Sequence, residues 1–426
     1  MVIAGWKKRL SVWVVLLAGI SGLFLCHGYR GDGDGGAVRT CSAASLAEAR
    51  VYPEKREITP TRRMLAAQIL VFPSGTYEDV EESMRKLKGA GVNTVIVRAF
   101  QNPGDSLHRF VRPQCRVGAY FETAYAPVVA PVLPELVTMG HRYGLKVFAW
   151  LETRKMPLLI PDSEAAKALS YDFETGRLGA TALWSIFDET FQSALEGLYR
   201  DAVLSGVDGI LIQDDLISYQ YEDFNPKGVA LFEKETGYRL IPKTLYPEVF
   251  QEENGRWCVT RYSDTFWVWV SWKNRKLMEL AGRLIETAKA VNPQIEVAMN
   301  FMYEAVTDPR NALAWLAQSL AEATKLPLDY YAVMAYHRQI KDELSLTEEG
   351  AFEEISKMTA SLLRIVEDPY KIVMKVQMTD WKTRKQISSY EANQVFQRIN
   401  NEGKVSLAFV PYSPRVPLQI IGNHFQ

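Results

Sequence analysis

The chain has 426 residues, with 49 Lys and Arg against 50 Asp and Glu, and 47% of it is hydrophobic. That is enough apolar material for one large globular core, while a formal net charge of -1 without a long Lys/Arg run in the body of the chain offers no grip for a nucleic acid. Cys26, Cys41, Cys115 and Cys258 lack the paired spacing of a zinc or redox motif, and the five histidines contain no i, i+4 ligand pair, so neither a metal nor a cofactor is expected.

In chain order, Lys7, Lys8 and Arg9 precede Leu10 to Leu25, an uncharged run dominated by Val, Leu, Ile, Trp and Phe. Residues 1–26 therefore read as a signal peptide or a membrane anchor. Leu23-Phe24-Leu25 stands before Cys26 where a cleavage site would carry small residues, so cleavage, lipidation and retention all stay open. Positive charge ahead of the run holds the N-terminus in the cytoplasm and sends the rest outward, to the periplasm or the outer side of a membrane in the cell envelope. Residues 27–61, Gly/Asp-rich from Gly28 to Gly36, read as a flexible tether. In an exported chain one disulfide among Cys41, Cys115 and Cys258 is expected at most.

From Met64 onward, apolar runs alternate with amphipathic stretches. The runs read as strands over Leu65 to Phe72, Thr94 to Phe100, Lys146 to Leu151, Gly209 to Gln213, Glu296 to Phe301, Tyr331 to Ala335, Ile372 to Gln377 and Val405 to Val410. Helices are expected over Thr76 to Lys88, Ala126 to Tyr143, Asp188 to Ser205, Trp269 to Val291, Ala312 to Thr324, Phe352 to Val366 and Tyr390 to Asn400. Eight such strands predict an α/β fold, a (β/α)8 TIM barrel over 62–426 with loop insertions at its C-terminal face. Pro73-Ser74-Gly75 follows the first strand where an open nucleotide-binding sheet would carry a glycine-rich phosphate loop.

The strand ends at that face carry the candidate chemistry. Gly209-Ile210-Leu211-Ile212-Gln213 runs straight into Asp214 and Asp215, whose side chains point in different directions, so one is expected to face the reacting bond and the other to orient it. The long insertion after them, to about Thr265, holds Tyr219, Tyr221, Glu222, Asp223, Trp257 and Tyr262 and reads as a groove wall. Other strand ends contribute Gln101 and Asn102, Glu152, Asn300 and Glu304, Tyr336 and His337, Asp380 and Trp381, and Tyr412. Two carboxyls flanking a bond, with aromatic platforms for sugar rings, are the requirements of glycoside hydrolysis. Asp214, Asp215 and Glu304 are the candidate catalytic residues; Tyr221, Glu222, Asp223, Asn300, Tyr336, Trp381 and Tyr412 are the candidate substrate contacts. For Glu304, Glu152 and Asp380 the alternative is a surface loop acid.

The run Val207 to Asp215, continued by Tyr221-Glu222-Asp223, resembles the C-terminal hydrolase domain of the PgaB family. The likeness extends through Val92-Asn93-Thr94, Ala99-Phe100, Val147 to Trp150, Ala298 and Asn300, Trp315 to Gln318, and Ala332 to Ala335, and it adds Trp150 to the substrate contacts. It implies a barrel that cleaves within partially de-N-acetylated poly-β-1,6-N-acetyl-D-glucosamine, with an acid at the end of the fourth strand, beside an exopolysaccharide export machinery. The family's metal-dependent deacetylase domain is not expected in this chain. Where the family has His before the aspartate pair this chain has Gln213, and where it has Arg before Asn300 this chain has Met299. A second reading follows from those departures: a catalytically weakened barrel that binds and guides the polymer, told apart by whether a second acid such as Glu304 lies across the groove.

Overall fold

The computed structural model describes residues 63–413 and 416, apart from 162 and 254; the expected anchor and tether, and Cys41, lie outside the described residues. Among the described residues no helix is long and apolar enough to cross a membrane. All eight expected runs form strands: β1 Leu65–Ile69, β2 Thr94–Arg98, β3 Lys146–Leu151, β4 Gly209–Ile212, β5 Glu296–Phe301, β6 Tyr330–Ala335, β7 Ile372–Gln377 and β8 Ser406–Val410. Each pairs in parallel with its sequence neighbours, and β1 closes on β8 through Leu65↔Leu407, so the sheet is a closed barrel.

Both faces of the sheet are buried, which is why the strands read as unbroken apolar runs. Outward residues such as Val97, Ile210, Ile212, Met299 and Val333 pack into the core shared with the helices. Inward residues Ala66, Ile96, Phe148, Leu211, Ala298, Ala332, Val373 and Ala408 fill the barrel. Among these, the large side chains stand together on β2, β3 and β4 and the small ones on β5, β6, β8 and β1, and the fit is tight at Gly209, where an added Cβ would lie 2.4 Å from the Phe148 ring. Gly209→Ala is accordingly expected to cost about 1–3 kcal/mol through overpacking, read as a lower denaturant midpoint at unchanged slope.

Helix starts follow their capping residues. Thr76 caps Tyr77–Gly89, Asp188 caps Glu189–Leu204, and Ser263 caps Asp264–Val291, which begins five residues earlier than its apolar spacing indicated. Two expectations need correction. The helix expected from Ala126 begins only at Leu133, because Pro127 and Pro131 interrupt the approach. The helix expected over Ala312 to Thr324 splits into Pro309–Leu316 and Leu320–Ala323, because Ala317 turns left-handed at φ 47°. That turn lets Gln318 Oε1 accept from Met302 N at 2.9 Å, fixing the chain just beyond β5.

The loops at the C-terminal face carry structure of their own. After β3 an antiparallel ribbon pairs Lys167–Tyr171 with Leu178–Trp184, an element the sequence reading did not assign. After β4 come the helix Pro226–Thr236 and a second ribbon, Glu248–Gln251 with Trp257–Arg261. The two insertions are joined by backbone bonds from Tyr171 N to Tyr221 O and from Phe224 N to Leu169 O, both 2.9 Å. Cys115 and Cys258 are free thiols.

Candidate active site

The last inward layer of the barrel, at the C-terminal ends of the strands, is polar. Lys375 Nζ donates to Asn300 Oδ1 at 2.8 Å, Asn300 Nδ2 donates to Gln213 Oε1 at 2.8 Å, and the Trp150 indole N–H donates to the same oxygen. Both ends of this chain are donor-only groups, so the orientation of the two amides between them is fixed. Trp150 and Asn300 are thus parts of the pocket floor, 3% and 0% exposed. Burial pushes the Lys375 ammonium down to about 7 against the opposing pull of Asp214.

Asp214 and Asp215 have different surroundings. Asp215 is buried, and its carboxylate accepts from Thr153 N at 2.9 and 3.0 Å, from Thr153 Oγ1 at 2.9 Å and from Lys155 N at 3.1 Å. It holds the loop after β3 to the end of β4. Asp214, at the C-terminal end of β4, is half-buried. Burial raises its carboxyl above the ordinary value, Lys155 and Lys375 pull it back, and Asp215 pushes it up again. Lys155 is exposed in the mouth; against the cost of desolvation, Tyr219, Asp215, Asp214 and Glu152 hold its ammonium charged. Glu152 accepts from the Asn102 side-chain amide, and burial, reinforced by Asp215, pushes its carboxyl well up. The mouth therefore combines a carboxyl poised between two lysines with a second carboxyl biased toward its protonated form.

Aromatic and apolar side chains build the wall above this floor: Ile217, Met302, Met334, Tyr336, Trp381 and Val410 pack together, with Tyr219 and Trp315 against them. Tyr336 and Trp381 meet edge to face at 5.4 Å. The Tyr336 hydroxyl and Trp381 Nε1 are buried without a partner among the described residues, as are Gln68 Oε1 and Asn102 Oδ1. Orphaned polar atoms of this kind are expected where a polar ligand completes the set. Asp380 anchors the loop that presents Trp381: it pairs with Arg338 at 2.7 Å and accepts from Lys382 N and Thr383 N. His337 and Arg338 in turn bind Glu391.

Four of the expected site residues stand elsewhere. Glu222 and Asp223 are 3% and 0% exposed and pair with buried Arg154 at 3.5 and 3.7 Å. Lys273 lies beneath them and donates to Ser218 Oγ, Tyr219 O and Glu222 O, so this cluster ties the insertion together rather than meeting substrate. Tyr412, which the parity of inward Ala408 and Val410 would turn inward, instead lies in the outer core and packs its ring on Phe409 at 6.1 Å. Glu304 is acted on by Glu343 and Asp308 rather than by the lysines that face Asp214. Tyr221 remains half-exposed, stacked on Tyr219 at 6.0 Å. Met299 points into the outer core, so the departure there does not reach the pocket, whereas Gln213 forms its floor.

Burial pushes Glu304 up to about 8. Its folded value exceeds the unfolded one, so the folded state keeps the proton and loses stability as pH rises from about 4.5 toward 8. Glu304→Gln is expected to raise the melting temperature at alkaline pH, to give little gain below about pH 4, and to leave hydrolysis unchanged. Melting curves across pH, with rates on the same samples, check this.

Sequence reasoning missed Lys155 and Lys375. Lys375 did leave a signal, since it interrupts the apolar run Ile372–Gln377 at an inward position; Lys155 lies in a loop whose path only the Asp215 contacts define. Among the described residues no group of three or more His, Cys, Asp or Glu side chains is placed to hold a metal ion.

Residues 73–410 match the family described as hypothetical glycosyl hydrolase family 13. No curated protein matches the chain. Among solved structures, the glycoside hydrolase domain of PgaB (BpsB) from Bordetella bronchiseptica superposes with a TM-score of 0.64 at 20% identity, covering 85% of this chain and 96% of that one. The catalytic domain of β-amylase from Paenibacillus polymyxa gives 0.51 at 10% identity, covering 83% and 94%. A β-galactosidase from the psychrophilic Marinomonas ef1 gives 0.56 at 12% identity, covering 85% of this chain and 58% of that one. At these identities the superpositions show the shared TIM-barrel fold.

Proposed function

Because the chain belongs to hypothetical glycosyl hydrolase family 13 and is a glycoside hydrolase, we propose that its barrel mouth cleaves within partially de-N-acetylated poly-β-1,6-N-acetyl-D-glucosamine, with Asp214 as the reacting carboxyl. The observation that carries this is the placement of Asp214: half-buried at the end of β4, raised by burial, and set between Lys155 and Lys375 over a fixed polar floor. A carboxyl raised above its ordinary value is better able to hold a proton and give it to a departing glycosidic oxygen. Glu152, at the end of β3, is the second carboxyl at the mouth. The unpartnered Tyr336 hydroxyl and Trp381 N–H supply polar contacts for sugar oxygens, and their rings supply apolar faces.

The linkage and sugar rest on the resemblance of Val207 to Asp215 and its companion segments to the PgaB hydrolase domain. Lys7 to Leu25 supports a position outside the cytoplasmic membrane, where an exopolysaccharide under export would meet the mouth.

A substrate panel tests this reading. Purified protein is offered poly-β-1,6-N-acetylglucosamine at several degrees of deacetylation, alongside β-1,4-linked chitosan, β-1,4-glucan and β-1,4-galactan, and released reducing ends are counted. Release from the β-1,6 polymer alone, depending on its acetylation, is the expected outcome. Equal release from a β-1,4 polymer would overturn the substrate assignment while leaving the hydrolase in place.

A further inference from the structure

The aromatic wall does not stop at the mouth. Tyr219, which packs against the Trp381 and Tyr336 cluster, stacks on Tyr221 at 6.0 Å and 16°. The chain carrying Tyr221 is bonded to the ribbon after β3 through Tyr171 N, and Tyr171 stacks on Tyr246 at 5.9 Å and 15°. Phe173 meets Tyr246 at 5.0 Å and Trp257, on the second ribbon, at 6.2 Å. Two groups of stacked rings, Tyr219 with Tyr221 at the mouth and Tyr171, Phe173, Tyr246 and Trp257 on the insertions, are thus joined through the backbone bond between Tyr171 and Tyr221.

The rings on the insertions lie at the edge of the main core, which Tyr171 and Phe173 pack against. Tyr246 is closed off at 5% exposure, and its hydroxyl donates to Gln220 O at 2.7 Å, bracing the group from behind. Tyr219, Tyr221, Tyr171, Phe173 and Trp257 each keep part of their surface open. Phe266 and Trp269, by contrast, are closed over at 0% exposure, so the insertions present a group of partly open rings beside the mouth.

We infer that these rings form a second binding strip, outside the cleavage subsite, that holds the continuing length of the polysaccharide whose bond lies over Asp214. The inference rests on the reading of the mouth as a glycosidase site. Its occupant follows from continuity: the strip starts at the wall of that site, and its rings offer apolar faces suited to the faces of sugar rings and tolerant of their substituents. Phe173 and Trp257, furthest from the mouth, meet only chains long enough to leave it. The strip makes the enzyme prefer long substrates.

Phe173→Ala, Trp257→Ala and the double variant test this, with Trp257→Phe as the variant that keeps a ring. KM is measured on intact poly-β-1,6-N-acetylglucosamine and on short oligosaccharides that fill only the mouth, and retardation in gels containing the polymer is read in parallel, with melting temperature as the folding control. The ratio of polymer KM to oligosaccharide KM is expected to rise about three- to tenfold for each ring lost, with gel retardation weakened and Trp257→Phe close to the parent. An unchanged ratio and retardation in a folded double variant would overturn the strip, and so would an equal rise on both substrates. Parent protein that is retarded by the polymer through Phe173 and Trp257 but cuts neither substrate would support the strip while contradicting the proposed function.

Discussion

Asp214→Asn is expected to lower the hydrolysis rate by about a hundredfold to ten-thousandfold while the protein stays folded. The substitution keeps the side-chain volume and removes the titrating proton and the charge. Asp214 is half-buried, and among the described residues no side chain is held by a hydrogen bond to its carboxylate, so the barrel has little to lose. The loss should fall on kcat, because the sugar contacts assigned to Tyr336 and Trp381 remain. Lys375 also responds: without the opposing carboxylate, its ammonium falls further below the value of about 7 that burial imposes. Reducing-end assays with calorimetry on the same preparation check both parts. A folded Asp214→Asn protein that hydrolyses at the parental rate would remove Asp214 from the chemistry.

Asp215→Ala is expected to act on stability as well as rate. Its carboxylate is the acceptor for Thr153 N, Thr153 Oγ1 and Lys155 N, and truncation leaves buried donors unpaired. Each such donor costs about 1–3 kcal/mol, so a loss of at least about 3 kcal/mol is expected for the three, visible as a lower denaturant midpoint. Activity falls with it, because the same contacts place Glu152 and Lys155 at the mouth. Adjacent acids thus have separable effects: one variant stable and slow, the other both unstable and slow. If Asp215→Ala were as stable as the parent, the joint between β3 and β4 would not depend on this carboxylate.

The barrel was legible in the sequence because a strand buried on both faces must be apolar along its length, and Gly209 to Ile212 or Ile372 to Gln377 can be read without knowing their partners. The order of reading also placed Asp214, Tyr336 and Trp381 at one end, since in a parallel barrel all strand ends share a face. Side-chain direction beyond the strand was not legible. Tyr412 follows Pro411 and turns into the outer core, and Glu222 and Asp223, which look like groove acids beside Tyr221, are drawn under the insertion by Arg154 and Lys273. Those partners lie about fifty to seventy residues away in the chain, a separation no local pattern encodes. Lys155 was hidden for the same reason, its place set by Asp215 from sixty residues further on.

The most direct measurement is digestion of partially de-N-acetylated poly-β-1,6-N-acetylglucosamine in oxygen-18 water, with the products followed by mass spectrometry for the parent and for Asp214→Asn. The expected result is shortened chains bearing one heavy oxygen at each new reducing end, produced by the parent and nearly absent with Asp214→Asn. Polymer left intact by the folded parent, or equal labelling by both proteins, would contradict a glycosidase centred on Asp214.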